Sequence, residues 1–419
     1  VTAATGALRL LVARSLRQHA LSTAITAGSV ALAAGLVMAV FAIKGQTYDA
    51  FTGGANGFDA VLGARGSQLQ LVLNTVFHLE TSPGNIPWSM YVAMSQDDGV
   101  ELAVPYALGD NYEGFRVVGT TRALFDRFPG AQGLRVAPGG RLFEEGTREA
   151  LVGSVVAART GLAVGQTFHP GHGLADGDND HDDEFTVAGV LEATNSPMDR
   201  VVWIPIEGVY RMSGHMLRGT GRNFRAEAGQ PIPDEHREVS AVLLKLKDPQ
   251  AGIFLDQTIN RQGTRATLAW PIGRSMADLF EKIGWVNRIL ELVAYLVVLV
   301  AAGTILASLY NAMNERRREF AILRSLGARR STVFSAIVLE ATAIAGLGAV
   351  LGYLVYGGIL GLAFVIVRAQ TGVVLDVFKV DPVLWWTPLG MLAVGVVAGV
   401  IPAVKAYRTD VATHLVPAS

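Results

Sequence analysis

Asn314-Glu315-Arg316-Arg317-Arg318-Glu319-Phe320-Ala321-Ile322-Leu323-Arg324-Ser325-Leu326-Gly327-Ala328-Arg329-Arg330 separates two segments that are each long and apolar enough to cross a bilayer. Six arginines fall between Arg316 and Arg330, and a basic turn between two spans is retained on the cytoplasmic side. Charge retention explains the arginines. It does not explain Phe320, Ile322, Leu323 and Leu326, the apolar residues set among them. Their spacing predicts a short amphipathic helix that ends at Gly327 and whose apolar face needs a partner. An ordinary solvated loop would have no use for that face.

Outward from this turn, the apolar segments set the topology. Half of the 419 residues are hydrophobic and only 17% are charged, against about 25% in soluble proteins. Spans are predicted over 20–43, 285–313, 331–367 and 384–404, each meeting the ~20 apolar residues that a crossing helix needs. An amphipathic helix over 1–19 carries Arg9, Arg14 and Arg17, and the tail over 405–419 carries Lys405 and Arg408. With the 314–330 turn, these basic stretches fall on one side, so both termini are expected in the cytoplasm. Trp385 and Trp386 open the last span where an interfacial aromatic belt is expected. The first apolar run exceeds a signal-peptide core of ~7–15 residues, so no cleavable signal is expected. A short outer loop covers 368–383.

This order leaves residues 44–284 outside the cytoplasm, too long for a loop and therefore a folded domain. Strand-like runs over 115–119, 149–153, 185–191, 201–205 and 240–246 alternate with helical patterns over 154–160 and 121–128. The expected fold is thus a membrane protein with four transmembrane α-helices and a large α+β extracytoplasmic domain between the first and second. From about residue 275, Met276, Leu279, Phe280 and Ile283 recur at helical spacing. This predicts a stalk helix running on into the second span. A packed helix at the domain base fits the spacing equally.

The run Arg318-Glu319-Phe320-Ala321-Ile322-Leu323-Arg324-Ser325-Leu326-Gly327-Ala328 resembles the coupling-helix signature of the MacB/FtsX/lipoprotein-releasing permease family. Leu151-Val152-Gly153-Ser154, Gly161-Leu162, Val164-Gly165-Gln166-Thr167 and Phe185-Thr186-Val187-Ala188-Gly189-Val190 likewise resemble the MacB-type periplasmic core. The resemblance implies a multi-pass protein of the bacterial inner membrane, paired with a second permease chain, identical or homologous. It also implies a separate cytoplasmic ABC ATPase that binds ATP and Mg. In that reading Phe320, Ile322, Leu323 and Leu326 enter an ATPase groove, Arg316, Arg317, Arg318 and Arg324 pair with its rim, and Glu319 and Gly327 complete the element. Substrate would be handled on the outer face, with an outer binding or adaptor protein as a further partner and lipids around the spans. The alternatives are a regulator that moves no solute and acts on an outer partner, or a metal-linked transport component.

Chemistry-bearing motifs are sparse. No Gly-Lys dipeptide occurs, so these residues carry no P-loop. No nucleophile elbow or His-Glu-x-x-His pair is present, and enzymatic activity is not expected of the chain. There is no cysteine, and a net charge of -1 gives no footprint for nucleic acid. The exception is the stretch 169–184, with three histidines and six carboxylates. His169, His172 and His181, supplemented by Asp178, Asp180, Asp182 or Asp183, offer ligands for a divalent ion such as zinc. A solvated acidic loop is the plain alternative, and the stretch lacks the twelve-residue calcium-loop pattern. His215 or His236 would complete such a site only across space, and His78 reads as structural. In the spans, Arg288 and Glu291 are spaced for a local ion pair, and Glu340 is an intramembrane carboxylate in need of a partner. Gly348 with Gly352, and Gly357 with Gly361, are spaced for close helix packing.

Overall fold

The computed structural model describes residues 2–53, 57–129, 133–173, 181–219, 221–226, 230–263, 265–316, 327–372 and 379–408, with 319, 322, 324–325, 374 and 376; of 2–7, 9, 406 and 408 only the backbone is described. The chain divides into two compact units, one of residues 1–46, 283–365 and 376–419, the other of 47–282 and 366–375.

The first unit is helical. Helices Ala20–Gly53, Gly284–Glu315, Arg330–Thr371 and Val383–Arg408 supply four stretches long and apolar enough to cross a membrane, preceded by the helix Thr2–Gln18. Small residues bring these helices together. A Cβ at Gly348 would sit 2.5 Å from the Val30 Cβ, and one at Gly352 would sit 2.8 Å from the Ala34 Cβ. The absence of side chains there lets the backbones touch. At Gly357 and Gly361, at the same spacing, an added Cβ would meet nothing within 4 Å among the described residues. A second small-residue seam, unseen in the sequence, joins Gly395 and Gly399 to Ala345 and Ala341. Leu292, Leu296, Leu299 and Val300 on one helix, and Val350, Leu354 and Leu362 on another, keep exposed apolar faces.

Two expectations fail here. Glu291 pairs with Lys44 of the Ala20–Gly53 helix at 2.6 Å rather than with Arg288, because a neighbouring helix presents the ammonium closer than the three-residue spacing does. The stalk does not run unbroken into the second span. Helix Ile272–Lys282 stops, Ile283 leaves helical geometry at ψ 6°, and a new helix begins at Gly284. The uninterrupted element is instead Ala20–Gly53, which extends past residue 43. Its final turn stacks Phe51 on Phe77 with ring centroids 4.7 Å apart.

The second unit is built on a mixed sheet ordered β12 (Ala266–Ala269), β1 (Ala60–Ala64), β11 (Ala241–Leu246), β3 (Val100–Tyr112), β4 (Phe115–Thr120), β9 (Val201–Pro205), β5 (Glu149–Val152), β8 (Phe185–Val190) and β6 (Thr167–Phe168), with β7 (Gly171–His172) paired to β3. β10 (Glu238–Val239) pairs separately with β2 (Ile86–Pro87). The pairs β4–β9 and β5–β8 are parallel. Both faces are covered. On β9, Val202 and Ile204 enter one core while Val201 and Trp203 enter the other. That is why these strands read as unbroken apolar runs. β3 escaped the sequence reading because of Pro105, which pairs with Val242 where only β11 is in register; pairing with β4 begins at Ala107. A proline is tolerated where its missing N–H faces no partner strand. The helix expected over 121–128 shrinks to Ala123–Asp126.

Candidate functional site

Two polar clusters stand out, one in each unit. In the helical unit, Arg316 at the end of Gly284–Glu315 turns inward. Its Nη1 donates to Ser15 Oγ at 2.6 Å and lies 3.5 Å from Glu340 Oε2, while Nε reaches Glu319 Oε2 at 3.1 Å. Ser15 Oγ in turn donates to Glu340 Oε1. Serine thus passes the hydrogen bond from cation to anion, and the intramembrane carboxylate has the partner its burial requires. Arg316 was expected to face outward toward an ATPase; it is instead 7% exposed and tied to three side chains. Of the other coupling residues, Ile322 is exposed, Arg324 is half-buried, and Gly327 takes φ +99° as the predicted helix end requires. Arg317, Arg318, Phe320, Leu323 and Leu326 lie outside the described residues.

In the inserted domain, the sheet assembles a second cluster from distant parts of the chain. Gly109 is skipped in the β3–β4 register, a bulge between Leu108 and Asp110. Before it, β3 sends Leu102, Val104 and Tyr106 into one core; after it, Tyr112 packs into the other. The bulge therefore re-aims Asp110. Its partner across the ladder is His172 of β7. β7 is held there by the Asn111 amide, which donates to the carbonyls of Gly171, His172 and Gly173 at 3.2–3.4 Å. The remaining two members are His181, ahead of β8, and His215, past the helix Ile206–Arg211.

The geometry converges on one oxygen. Asp110 Oδ1 lies 3.4 Å from His172 Nδ1, 3.4 Å from His181 Nε2 and 3.3 Å from His215 Nε2. All four ligand atoms fall within 4.8 Å of one another. His181 Nδ1 lies 2.6 Å from the Ser213 carbonyl, and His215 Nδ1 lies 2.8 Å from that of Val209. A carbonyl only accepts, so both rings donate from Nδ1; the neutral ring then turns a bare Nε2 inward, and the protonated ring donates from Nε2 to Asp110. Asp183 fixes this loop by accepting from the Ser213 N–H at 2.6 Å and its hydroxyl at 2.7 Å, and Arg148 pairs with its other oxygen. Gly214, at φ +88°, makes the turn between the Ser213 carbonyl and His215.

Electrostatically, the Asp110 carboxyl is pushed up by burial, but hydrogen bonds from His181 and His215 outweigh this and hold it down to about 2. The hydrogen bond to Asp110 raises the His181 ring, against its burial. His172 is lowered by desolvation and then by the neighbouring His181. Asp110 Oδ2 is buried without a hydrogen-bond partner among the described residues. An anionic oxygen ringed by three imidazoles suits a cation that accepts nitrogen and oxygen lone pairs.

Only part of the sequence-predicted ligand set is here. His172 and His181 take part, and His215 joins them from outside the stretch. His169 and Asp182 are exposed and belong to no ligand cluster among the described residues. Asp183 serves the loop rather than the centre, and Asp178 and Asp180 lie outside the described residues. His236 stacks on Phe224 at 4.2 Å, away from the cluster. Asp110 was missed because Gly109-Asp110-Asn111 reads as a turn; the glycine inside an alternating run was the available signal for a bulge.

Residues 23–254 match the MacB-like periplasmic core domain, and residues 291–411 match the FtsX-like permease C-terminal family. Over 231 residues, 54% of this chain and 32% of the relative, the sequence is 25% identical to the macrolide export ATP-binding/permease protein MacB of Hyphomonas neptunium. Over 128 residues, 30% of each chain, it is 30% identical to the lipoprotein-releasing system transmembrane protein LolC of Neisseria meningitidis. The chain spans about a third of the length of these curated relatives. Among solved structures, the periplasmic region of MacB from Actinobacillus actinomycetemcomitans aligns at 13% identity with a TM-score of 0.34, covering 54% of this chain and 94% of that one.

Proposed function

Because the chain belongs to the ABC transporter permeases of MacB/FtsX type, we propose that it couples ATP hydrolysis by a separate cytoplasmic ATPase to a change of shape in its inserted domain on the far side of the membrane. The observation that carries this reading is the arginine-rich turn, in which Ile322 is 45% exposed among charged neighbours. An apolar side chain presented between cations fits a groove with an acidic rim. Arg316 contributes differently. Buried against Ser15 and Glu340, it anchors the turn to the Thr2–Gln18 and Arg330–Thr371 helices, so a push on the turn moves helices rather than a loose loop.

Two such chains and two ATPases form the working unit in this reading; the names of the ATP-binding/permease relatives join an ATP-binding part to a permease part. The exposed apolar faces of the Gly284–Glu315 and Arg330–Thr371 helices are available to lipid and to the second permease chain. The uninterrupted Ala20–Gly53 helix is the better candidate for a transmitter than the broken 272–315 pair. Substrate is handled outside the cytoplasm.

Co-purification of Ile322→Asp with the ATPase tests this. A carboxylate placed in an apolar groove costs several kcal/mol, against about 8 kcal/mol for a micromolar contact. The variant should insert normally yet lose the ATPase. Full retention of the ATPase with undiminished ATP-driven activity would overturn the assignment.

A further inference from the structure

We propose that the inserted domain binds one divalent transition-metal ion of the zinc class through Asp110 Oδ1, His172 Nδ1, His181 Nε2 and His215 Nε2. The inference is independent of the ATPase-coupling reading, since it concerns only the chemistry of one cluster. Its first support is metric. Four ligands at zinc–nitrogen and zinc–oxygen distances of ~2.0–2.1 Å occupy the corners of a tetrahedron whose edges are about 3.3 Å. The three edges at Asp110 are 3.3, 3.4 and 3.4 Å. Hydrogen-bonded side chains do not need to gather three imidazole nitrogens around one oxygen at that spacing.

The second support is the arrangement behind the ligands. Metal-binding imidazoles characteristically donate their outer N–H to a carbonyl or carboxylate, which fixes the ring and makes the inner nitrogen more basic. His181 does so to Ser213 and His215 to Val209. Asp183 and the Asn111 amide hold the backbone around them. The ligands arrive from the β3 bulge, from β7, from the segment before β8 and from the loop after Ile206–Arg211, so sequence proximity did not force them together.

Ligand type selects the ion. Three imidazoles and one carboxylate favour zinc, cobalt, nickel and copper(II); a single carboxylate is too little for calcium or magnesium, and with no cysteine in the chain there is no thiolate for copper(I). The side chains of Asp110, His181 and His215 are 1%, 2% and 17% exposed, whereas His172 is 45% exposed. The ion therefore reaches the centre from solvent past His172.

The full chain in detergent, stripped with a chelator, is titrated with cobalt(II). One equivalent per chain should give the intense visible absorption of tetrahedral cobalt, abolished by zinc and unaffected by calcium or magnesium. His181→Ala/His215→Ala should remove the signal, and His169→Ala and Asp182→Asn should keep it. Since the double variant removes two buried rings, His172→Ala provides the second readout: losing this exposed ligand should weaken zinc by more than the about 10–100-fold typical of an outer-shell partner. Metal should also slow hydrogen exchange in peptides covering residues 209–217 of the wild type alone. Weak octahedral absorption, or the same cobalt affinity in wild type, His172→Ala and the double variant, would overturn the proposal.

Discussion

Arg316 Nη1 lies 3.5 Å from Glu340 Oε2, with the two side chains 9% and 10% exposed, and Ser15 Oγ bridges them. Glu340 would be a buried charge without Arg316, whereas Arg316 without Glu340 keeps Glu319 at 3.1 Å. Removing Arg316 alone is therefore expected to cost more than removing both. Arg316→Met, which strands Glu340, should lower stability by about 3–5 kcal/mol, Arg316→Met/Glu340→Leu should recover most of that, and Ser15→Ala should cost about 1 kcal/mol. Thermal inactivation of the detergent-solubilised variants checks the order; additive losses in the double variant would show that the pair is not coupled.

The glycine seams make a contrast within one helix. Gly352→Leu drives a side chain into Ala34, whereas Gly361→Leu projects into open space. Overpacking of this kind costs about 1–3 kcal/mol, so Gly352→Leu should reduce folded yield and thermal stability while Gly361→Leu leaves both near wild type. If position 361 proves the more sensitive, that residue packs against a second permease chain rather than within its own.

Membrane orientation is open to a direct measurement, because the chain contains no cysteine. Single cysteines at the exposed positions Asn223 and Ser325 should label from opposite sides of the membrane with an impermeant reagent, Asn223 from outside the cytoplasm. Labelling of both from one side would refute the topology.

His78 supplies a pH dependence away from the ligand cluster. Burial, followed by the charges of Arg116 and Arg200, lowers its ring to about 3. The folded chain thus keeps the ring neutral where the unfolded chain takes up a proton, near pH 6.5. Stability from this group is constant above pH 6.5 and is lost as pH falls from there toward 3, by about 1.4 kcal/mol per unit. His78→Asn does not titrate and tolerates the left-handed φ of +55°. Hydrogen exchange of β9 peptides, which include the Trp203 that packs edge-on to His78, should show the wild type losing protection more steeply than the variant between pH 6.5 and 4.5. Parallel curves would assign the acid sensitivity elsewhere.

How much of this was legible follows from the range over which each determinant acts. Span length, arginine placement and strand-like apolar runs are local, so the sequence by itself determined four membrane-crossing helices and an inserted α+β domain, with β4, β5, β8 and β9 near their expected positions. It also determined a left-handed residue at Gly327, since that is a property of one position. Partnership is not local. Identical Gly-x-x-x-Gly spacings became one packed seam and one open face, because only the first has Val30 and Ala34 opposite it. Glu291 chose Lys44, Arg316 turned toward Ser15 and Glu340, and a bulge at Gly109 swung Asp110 between His172, His181 and His215. Composition could announce that histidines and carboxylates were plentiful near residue 170. Only the register of β3 with β7, and the loop held by Asp183, decided which of them meet, because convergence of four ligand atoms to within a few ångströms depends on backbone paths set by the whole sheet.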